Sequence, residues 1–407
     1  MDKEVLSLAE AAGKVNHMTS ERSYSLMTAI LFWCGLVVVS SLYTTIPLVS
    51  VFADAFEVTL TQATWTSSVF SFCYAVGFLF FGPLSDRYGR KQIILIGLGM
   101  LTVVSPIIGF FDSLSWLIAL RAIQGIAAAT FAPAALAYVV EMFPAEKRIT
   151  TIGFVSTGFL MSGIVGQVIS SLVSQYFGWN YVFYILGGVY LITTVLAAFF
   201  IPKGDVLQVK GNILAPFKQM GKVFIQKDLF LCYVVTITLL LSFVGMYTAL
   251  GSYLSGPVFG LDSQNILYVR SIGILGMLVS PISGRLVTKF RIQTVLIGGL
   301  SLAVIGLAIL GVSSNLPFLV VMSVVFVAGI SITVPTLISL VGQLGGAARG
   351  IAVSLYTFIL FIGATLGPVV AVGLLKTGSY LLTFEVLALL LGIGLIVSFL
   401  IKSRDQA

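Results

Sequence analysis

The stretch from Gly82 to Lys91 reads Gly-Pro-Leu-Ser-Asp-Arg-Tyr-Gly-Arg-Lys and separates two long apolar runs. The chain carries no charge between Glu57 and Asp86, nor between Lys91 and Asp112. A helix needs about 20 mainly apolar residues to cross the hydrocarbon layer of a membrane. The stretch is therefore predicted to be a very short turn between two membrane-spanning helices.

The composition of the whole chain agrees with a membrane protein. Of the 407 residues, 58% are apolar and 9% are charged, whereas a soluble domain carries about 25% charged residues. A soluble protein is thereby excluded. A β-barrel would alternate apolar and polar residues, and such alternation is not visible, so a helical bundle is predicted.

Charge-free runs predict twelve membrane-spanning helices, three of which contain one interior charge: Arg121, Arg270 or Glu385. The predicted class is thus an all-α membrane protein, with twelve transmembrane helices in two pseudo-symmetric six-helix bundles. The spans are expected to begin near Ser25, Gln62, Gln92, Ser113, Ile149, Asn180, Phe230, Gln264, Ile292, Leu316, Gly350 and Tyr380.

The positions of Lys and Arg predict the orientation, because cytoplasmic loops are enriched in these residues. With the N-terminus inside, nineteen of the 22 fall in the tails and cytoplasmic loops. Both termini are therefore expected in the cytoplasm. The first apolar run exceeds twenty residues, which predicts a span and not a cleaved signal peptide.

A lysine-rich interval between spans six and seven divides the chain. The predicted division is an N-terminal tail (1–24), a first bundle (25–201), a linker (202–228), a second bundle (229–401) and a C-terminal tail (402–407). Within the linker, apolar residues recur at helical spacing opposite Lys218 and Lys222, namely Ile213, Phe217, Met220 and Phe224. This pattern predicts an amphipathic helix on the inner leaflet, acting either as a solvated linker or as a regulatory lipid site.

The two bundles resemble each other in sequence. Gly82 and Gly284 are separated by 202 positions, and Gly166 and Gly367 by 201. Agreement at nearly one offset indicates an internal duplication. Twinned six-helix halves are typical of secondary transporters, which bind substrate near the membrane midplane between the halves.

The stretch 82–91 resembles the G-x-L-[SA]-D-R-x-G-R-[RK] signature of the major facilitator superfamily. The resemblance implies a conformational latch in which Asp86 faces the start of span eleven, where the helix dipole favours an anion. The loop from Glu141 to Arg148 resembles the partner loop of that latch, and Glu141 with Arg90 or Asp86 with Arg148 are the expected ion pairs. The implied latch residues are Gly82, Asp86, Arg87, Gly89, Arg90, Lys91, Glu141, Arg148 and Arg349.

Span four carries Arg121 and, one turn later, Gln124. This pair resembles the R-x-x-Q-G motif of the same family, which implies a role in proton movement or substrate charge. An arginine in hydrocarbon costs roughly 2.5–3.5 kcal/mol on insertion scales, so it needs a cavity or a partner. The alternative is a structural arginine bonded to backbone carbonyls.

Span five has small residues every four positions, which predicts close helix contact. The stripe takes the place of the family's antiporter motif, but Gln167 replaces its proline, which weakens the motif as evidence for antiport. Span eleven contains the missing proline. The predicted packing residues are Gly158, Ser162, Gly166, Gly363, Gly367 and Pro368.

Polar and aromatic residues within the spans are candidates for a substrate pocket. They are Trp33, Tyr43, Trp65, Tyr74, Tyr247 and Tyr356. Arg270 is a further candidate for substrate or proton coupling. It lies near the outer end of span eight, so it could instead extend its charge to the membrane surface.

An ATP-binding loop and a hydrolytic triad are not recognisable, which predicts a transporter driven by a gradient and not an enzyme. Metals, cofactors and nucleic acids are not expected. Proton coupling would need a buried carboxylate, and Glu385 or Asp86, together with Arg121, is the predicted set. A membrane receptor or an intramembrane enzyme is the weaker alternative.

The whole chain resembles the twelve-span drug:proton antiporters of the superfamily. This implies a monomer in a bacterial cytoplasmic membrane that exports small amphipathic compounds. The competing expectation is transport of a defined organic anion or a sugar-type metabolite, because two arginines lie within spans against one acid.

Overall fold

The computed structural model describes residues 24–203, 215–312 and 314–402. Except for residues 24 and 402, the two predicted tails lie outside these ranges, as does 204–214 of the predicted linker. Within the three ranges the chain forms helices and no β-strand. The helices are α1 (Tyr24–Tyr43), α2 (Val49–Ala55), α3 (Leu60–Tyr88), α4 (Arg90–Ile108), α5 (Leu114–Ala128), α6 (Phe131–Met142), α7 (Ala145–Phe177), α8 (Trp179–Phe200), α9 (Ala215–Phe224), α10 (Lys227–Ser255), α11 (Ser263–Ile272), α12 (Ile274–Met277), α13 (Ile282–Lys289), α14 (Ile292–Leu310), α15 (Leu316–Gly345), α16 (Arg349–Leu375) and α17 (Tyr380–Ser398).

Twelve helical stretches of the described chain are long and apolar enough to cross a membrane, which confirms the predicted number of spans. The fourth span consists of α5 and α6, and the eighth consists of α11, α12 and α13. Each other span is one helix. The observed starts differ from the predicted ones by at most four residues, because the length of an apolar run is fixed by the membrane thickness.

Several helix contacts join the first six spans to the last six. Helix α3 packs against α16, and α7 packs against α13 and α15. When about 202 is added to their residue numbers, α3 corresponds to the eighth span and α7 corresponds to α16. The crossings α3–α16 and α7–α13 are therefore equivalent under the internal duplication, as expected for pseudo-symmetric bundles.

The glycines predicted to mediate packing lie at close crossings within each half. A Cβ atom on Gly158 would lie 2.6 Å from the Phe32 carbonyl oxygen of α1. A Cβ atom on Gly367 would lie 2.6 Å from the Leu241 carbonyl oxygen of α10. Gly166 and Gly363 make equivalent approaches to α1 and α10. The Ser162 hydroxyl bonds the Phe159 carbonyl. These small residues let backbones approach without side chains between them.

The eighth span is interrupted where it meets α7. Regular helix stops after Met277 and resumes at Ile282. The Met277 carbonyl accepts a hydrogen bond from Thr157 Oγ1 of α7 at 3.2 Å. A Cβ atom on Gly153 would lie 2.7 Å from the Ser280 carbonyl oxygen. Discontinuous helices with carbonyls satisfied by a neighbour are common at transporter binding sites.

The amphipathic linker helix is present as α9, but its apolar face is not directed at lipid alone. Helix α9 packs against α10 and α16. Met220 and Val223 are buried, and the Phe224 ring stacks on Tyr233 of α10 with ring centroids 5.9 Å apart. The bundle itself therefore provides an apolar partner for these residues, and the predicted position on the inner leaflet stays a prediction. Ile213 lies outside the described residues.

Candidate functional site

Arg90 is the centre of an ion-pair cluster at the end of the molecule that carries residues 82–91, here called the motif end. Its side chain is 4% exposed and forms ion pairs with both Asp86 and Glu141. Arg90 Nη2 lies 2.8 Å from Glu141 Oε1, and Nε lies 3.3 Å from Oε2. This two-point geometry is the strong form of an arginine–carboxylate pair. The predicted pair Glu141–Arg90 is present.

The backbone of the short turn directs Arg90 into this cluster. Gly89, between α3 and α4, has φ +98°, a conformation that favours glycine. Arg90 Nη1 then donates to Ser85 Oγ at 2.5 Å and to the Gly82 carbonyl at 3.2 Å. The guanidinium thus satisfies a carbonyl near the end of α3 while it binds two carboxylates.

The cluster spans the boundary between the halves. A Cβ atom on Gly350, in the first turn of α16, would lie 2.5 Å from Asp86 Oδ1. The Asp86 carboxylate therefore lies against the N-terminus of α16, where the helix dipole stabilises negative charge. Arg349 Nε lies 3.7 Å from Glu141 Oε1. A Cβ atom on Gly82 would lie 2.5 Å from the Ser354 Cβ atom, so the motif end is tightly closed along α3 and α16.

Two other predicted latch residues, Arg148 and Lys91, donate hydrogen bonds to carbonyls of the first half. Arg148 Nε donates to the Phe143 carbonyl at 2.8 Å, and the expected pair of Arg148 with Asp86 is wrong because Arg90 already occupies that carboxylate. Lys91 Nζ donates to the Ala198 carbonyl at 2.6 Å. The Arg87 guanidinium lies 5.7 Å from the Tyr88 ring centroid.

The second copy of the motif lacks this chemistry. The offset of 202 residues aligns Gly82 with Gly284 and Asp86 with Thr288. Gly284 also lies at a close crossing, since a Cβ atom there would lie 3.0 Å from the Thr150 Cβ atom of α7. The glycine crossing is therefore kept in both copies, whereas the acid occurs only in the first.

A cavity of about 260 Å³ lies between the halves, on the far side of the closed motif end. Helices α1 and α7 of the first half and α10, α11, α12, α15 and α16 of the second half line it. Its polar or charged lining residues are Tyr43, Ser156, Gln167, Tyr247, Thr248 and Arg270, and its apolar ones include Phe159, Phe243, Leu360 and Phe361.

Two of the six aromatic pocket candidates, Tyr43 and Tyr247, line this cavity. Trp33 and Trp65 do not, and their prediction as pocket residues is wrong. Trp33 is 38% exposed and donates to Thr193 Oγ1 of α8 at 3.0 Å, and Trp65 is 56% exposed. Both aromatic rings lie on the outside of the first half.

Tyr74 and Tyr356 are fully buried but do not line the cavity. The Tyr74 ring packs at 5.0 Å and 90° against Phe361 of α16. Both tyrosine hydroxyls are buried without a hydrogen-bond partner. Tyr74 contacts Phe361, a residue that lines the cavity, and the prediction of Tyr74 and Tyr356 as pocket residues stays a prediction.

Arg121 is completely buried within the first half and does not line the cavity. Its guanidinium donates to the carbonyls of Ser41 and Thr66, to Thr45 Oγ1 and to Gln124 Oε1, at 2.6–3.2 Å. It also lies 4.1 Å from the Phe70 ring centroid. Gln124 in turn donates to Ser105 Oγ. This network joins α1, α3, α4 and α5 internally, which favours the structural alternative for Arg121 and Gln124, whereas a role in proton movement or substrate charge stays a prediction.

Glu385 lies on α17, which packs against α10, α14 and α16. It is partly buried and is not among the residues that line the cavity. Glu385 and Arg121 belong to different halves and share no bonded partner among the described residues, so their joint role in proton coupling stays a prediction.

Three cavity-related residues were not predicted as site residues. Gln167 appeared only as a departure from a motif, yet it lines the cavity, and its signal was a polar amide in an apolar span. Gly251 and Gly273 make room for Arg270 and Tyr247. Nothing in an apolar span marks such glycines out.

The chain is similar in sequence to known membrane transporters. The family model of the Major Facilitator Superfamily matches residues 31–348 and 281–407. An uncharacterized transporter of Buchnera aphidicola from Schizaphis graminum is 26% identical over 350 residues, which cover 85% of this chain and 84% of that protein. The uncharacterized MFS-type transporter YybF of Bacillus subtilis is 26% identical, covering 83% and 84%. The multidrug resistance protein MdtG of Proteus mirabilis is 27% identical, covering 62% and 64%.

Twelve spans in two equivalent halves, with a closed end and a cavity between them, define a membrane transporter. The chain belongs to the major facilitator superfamily.

Proposed function

We propose that the protein exports small amphipathic compounds by alternating access. The observation that carries this proposal is the cavity between the halves, which is lined by aromatic and aliphatic side chains and closed at the motif end. Loose selection by shape suits such a lining. The name of the relative MdtG, a multidrug resistance protein, supports export of this kind.

The proposed location is a bacterial cytoplasmic membrane, with the protein as a monomer and both termini in the cytoplasm. The excess of Lys and Arg in the loops at the motif end supports this orientation. The motif end is then the cytoplasmic gate, and the cavity belongs to a state that is closed towards the cytoplasm. Substrate would enter after the ion-pair cluster opens.

We propose that export is coupled to protons through Asp86 and not through Glu385. Asp86 lies at the boundary between the halves, where protonation would remove the charge that Arg90 and the α16 N-terminus stabilise. An exposed ion pair contributes only about 0–1 kcal/mol, and desolvation offsets much of the attraction within a buried pair. Protonation therefore shifts a balance between two states without locking either one.

The test uses purified protein in proteoliposomes with an imposed pH step and a neutral fluorescent amphipathic dye, Nile red, together with several unrelated amphipathic compounds. We expect pH-driven movement of more than one compound by the wild type. Asp86→Asn should keep dye exchange without a gradient but lose the response to the pH step, whereas Glu385→Gln should behave as wild type. Loss of coupling in Glu385→Gln alone would contradict the assignment to Asp86.

Transport of one defined organic anion is the second candidate, because Arg270 is the charged residue among those lining the cavity. A growth test separates the two candidates. Resistance to several unrelated toxins on overexpression supports broad export, and rescue of growth on a single anion supports the defined substrate.

A further inference from the structure

The cavity holds one charged side chain in an otherwise neutral lining. Arg270 of α11 reaches it from the second half, and the remaining described lining residues are apolar or uncharged. Among the described residues, no carboxylate forms an ion pair with Arg270. An unpaired cation in an apolar cavity is costly unless an anion or several acceptors compensate it.

The guanidinium of Arg270 is held in place by α10. Its Nη2 atom donates to the Tyr247 carbonyl at 2.9 Å. A Cβ atom on Gly251 would collide with Nη2 and lie 3.2 Å from Cζ. A Cβ atom on Gly273 would likewise collide with the Tyr247 hydroxyl. Helices α10 and α11 therefore pack closely, because Arg270 lies against Gly251 and Tyr247 lies against Gly273.

This arrangement leaves hydrogen-bond donors without acceptors. Arg270 Nε and the Tyr247 hydroxyl are both buried and have no hydrogen-bond partner. Ser156 also lines the cavity, and its hydroxyl is likewise buried without a hydrogen-bond partner. A buried polar group left unsatisfied costs about 1–3 kcal/mol. Donors that are fixed in position and unsatisfied are well suited to bind an acceptor that arrives with a ligand.

We propose that Arg270 and Tyr247 bind the carboxylate of an amphipathic organic acid, whose apolar part lies against Phe243 and Phe361. The proposal rests on the proposed transport function and names its substrate class. A planar guanidinium matches a carboxylate with two parallel hydrogen bonds. The cavity of about 260 Å³ is below the usual range of about 300–1,000 Å³ for drug-sized ligands, so a small acid fits best.

The experiment measures equilibrium binding to the full chain in lipid nanodiscs by calorimetry at neutral pH. The probes are 4-phenylbutyrate, its neutral amide and 4-phenylbutylamine, which share one apolar part and differ in charge. We expect the wild type to bind the acid at least about tenfold more tightly than the amide, and the amine more weakly than the amide. Arg270→Gln should abolish the preference for the acid while amide binding is kept, and Arg270→Lys should retain part of it.

A second variant tests whether the position of the Arg270 guanidinium matters in addition to its charge. Gly251→Ala keeps the arginine but displaces its guanidinium, so it should also reduce acid binding with little effect on the amide. The control is Gly298→Ala, whose Cβ atom would meet no atom within 4 Å. Gly260→Ala is not a suitable control, because Gly260 has a positive φ.

The outcomes distinguish this inference from the proposed function. Equal binding of acid and amide by the wild type, or an unchanged preference in Arg270→Gln, overturns the carboxylate site even if transport is observed. Selective acid binding without any transport in proteoliposomes supports the site and contradicts the transport proposal.

Discussion

Replacing Gly82 by alanine inserts a methyl group into the crossing of α3 and α16 at the motif end. The new Cβ atom would lie 2.5 Å from Ser354 Cβ, whereas ordinary van der Waals contact requires 3.4–4 Å. Rotation of the serine hydroxyl cannot relieve a clash with its Cβ atom, so the helices must separate. Overpacking of this kind costs about 1–3 kcal/mol.

This cost applies only to the state in which the motif end is closed. The balance between closed and open states should therefore shift towards the open one by about 5- to 150-fold. Thr357, one turn beyond Ser354 on α16, is 1% exposed, and a cysteine there reports opening through its rate of alkylation by a water-soluble maleimide. The measurement uses a chain in which the native cysteines Cys34, Cys73 and Cys232 are replaced by serine.

We expect Gly82→Ala to raise the alkylation rate at position 357 at least about fivefold. The matched control is Gly99→Ala, whose Cβ atom would meet nothing within 4 Å. The double variant Gly82→Ala with Ser354→Gly should return towards the wild-type rate, because the obstructing side chain is gone. An unchanged rate in Gly82→Ala, or an equal rise in Gly99→Ala, would refute the reasoning.

Three further predictions concern stability and the ion-pair cluster. Arg121→Leu leaves several buried acceptors unsatisfied, at a cost of about 1–3 kcal/mol each. We therefore expect a clearly lower thermal unfolding temperature in detergent. An unchanged unfolding temperature with lost transport would argue against a structural role of Arg121. Gly367→Ala should lower the same temperature through its contact with the α10 backbone, whereas Gly373→Ala on the same helix, which meets nothing within 4 Å, should not. Glu141→Gln removes the shared partner of two arginines, so we expect a severalfold faster alkylation at position 357, and a slower rate would contradict a closing role.

Much of the fold follows from the sequence because membrane thickness sets the length of each apolar run. The pair Arg90–Glu141 was implied by the resemblance of 82–91 and 141–148 to the family's latch, and the structure places the two residues at the neighbouring ends of α4 and α6. The duplication could be read from glycines such as Gly166 and Gly367, whose small size is needed at equivalent crossings. Each of these inferences depends on position along the chain and not on the direction of a side chain.

The cavity lining could not be predicted with the same success. A span that is apolar on all sides does not indicate which face meets the neighbouring helices. Trp33, Trp65 and Tyr43 were therefore equally good candidates for residues of the substrate pocket. Arg121 was ambiguous because an internal arginine is satisfied equally well by carbonyls and hydroxyls as by a ligand. The role of Arg270 was ambiguous because it lies near the outer end of span eight, where its guanidinium could reach water. In the structure its contacts with Gly251 and the Tyr247 carbonyl of α10 hold the guanidinium at the cavity.

The difference between Asp86 and its counterpart Thr288 gives the two copies of the duplicated unit separate tasks. One crossing at the motif end is held by charge as well as shape, and the equivalent crossing keeps the glycine without the acid. Ionic strength and pH act on the first through Coulomb attraction, whereas the second depends on packing. One copy of the unit therefore carries a crossing that responds to charge, and the other carries a crossing that depends on packing alone.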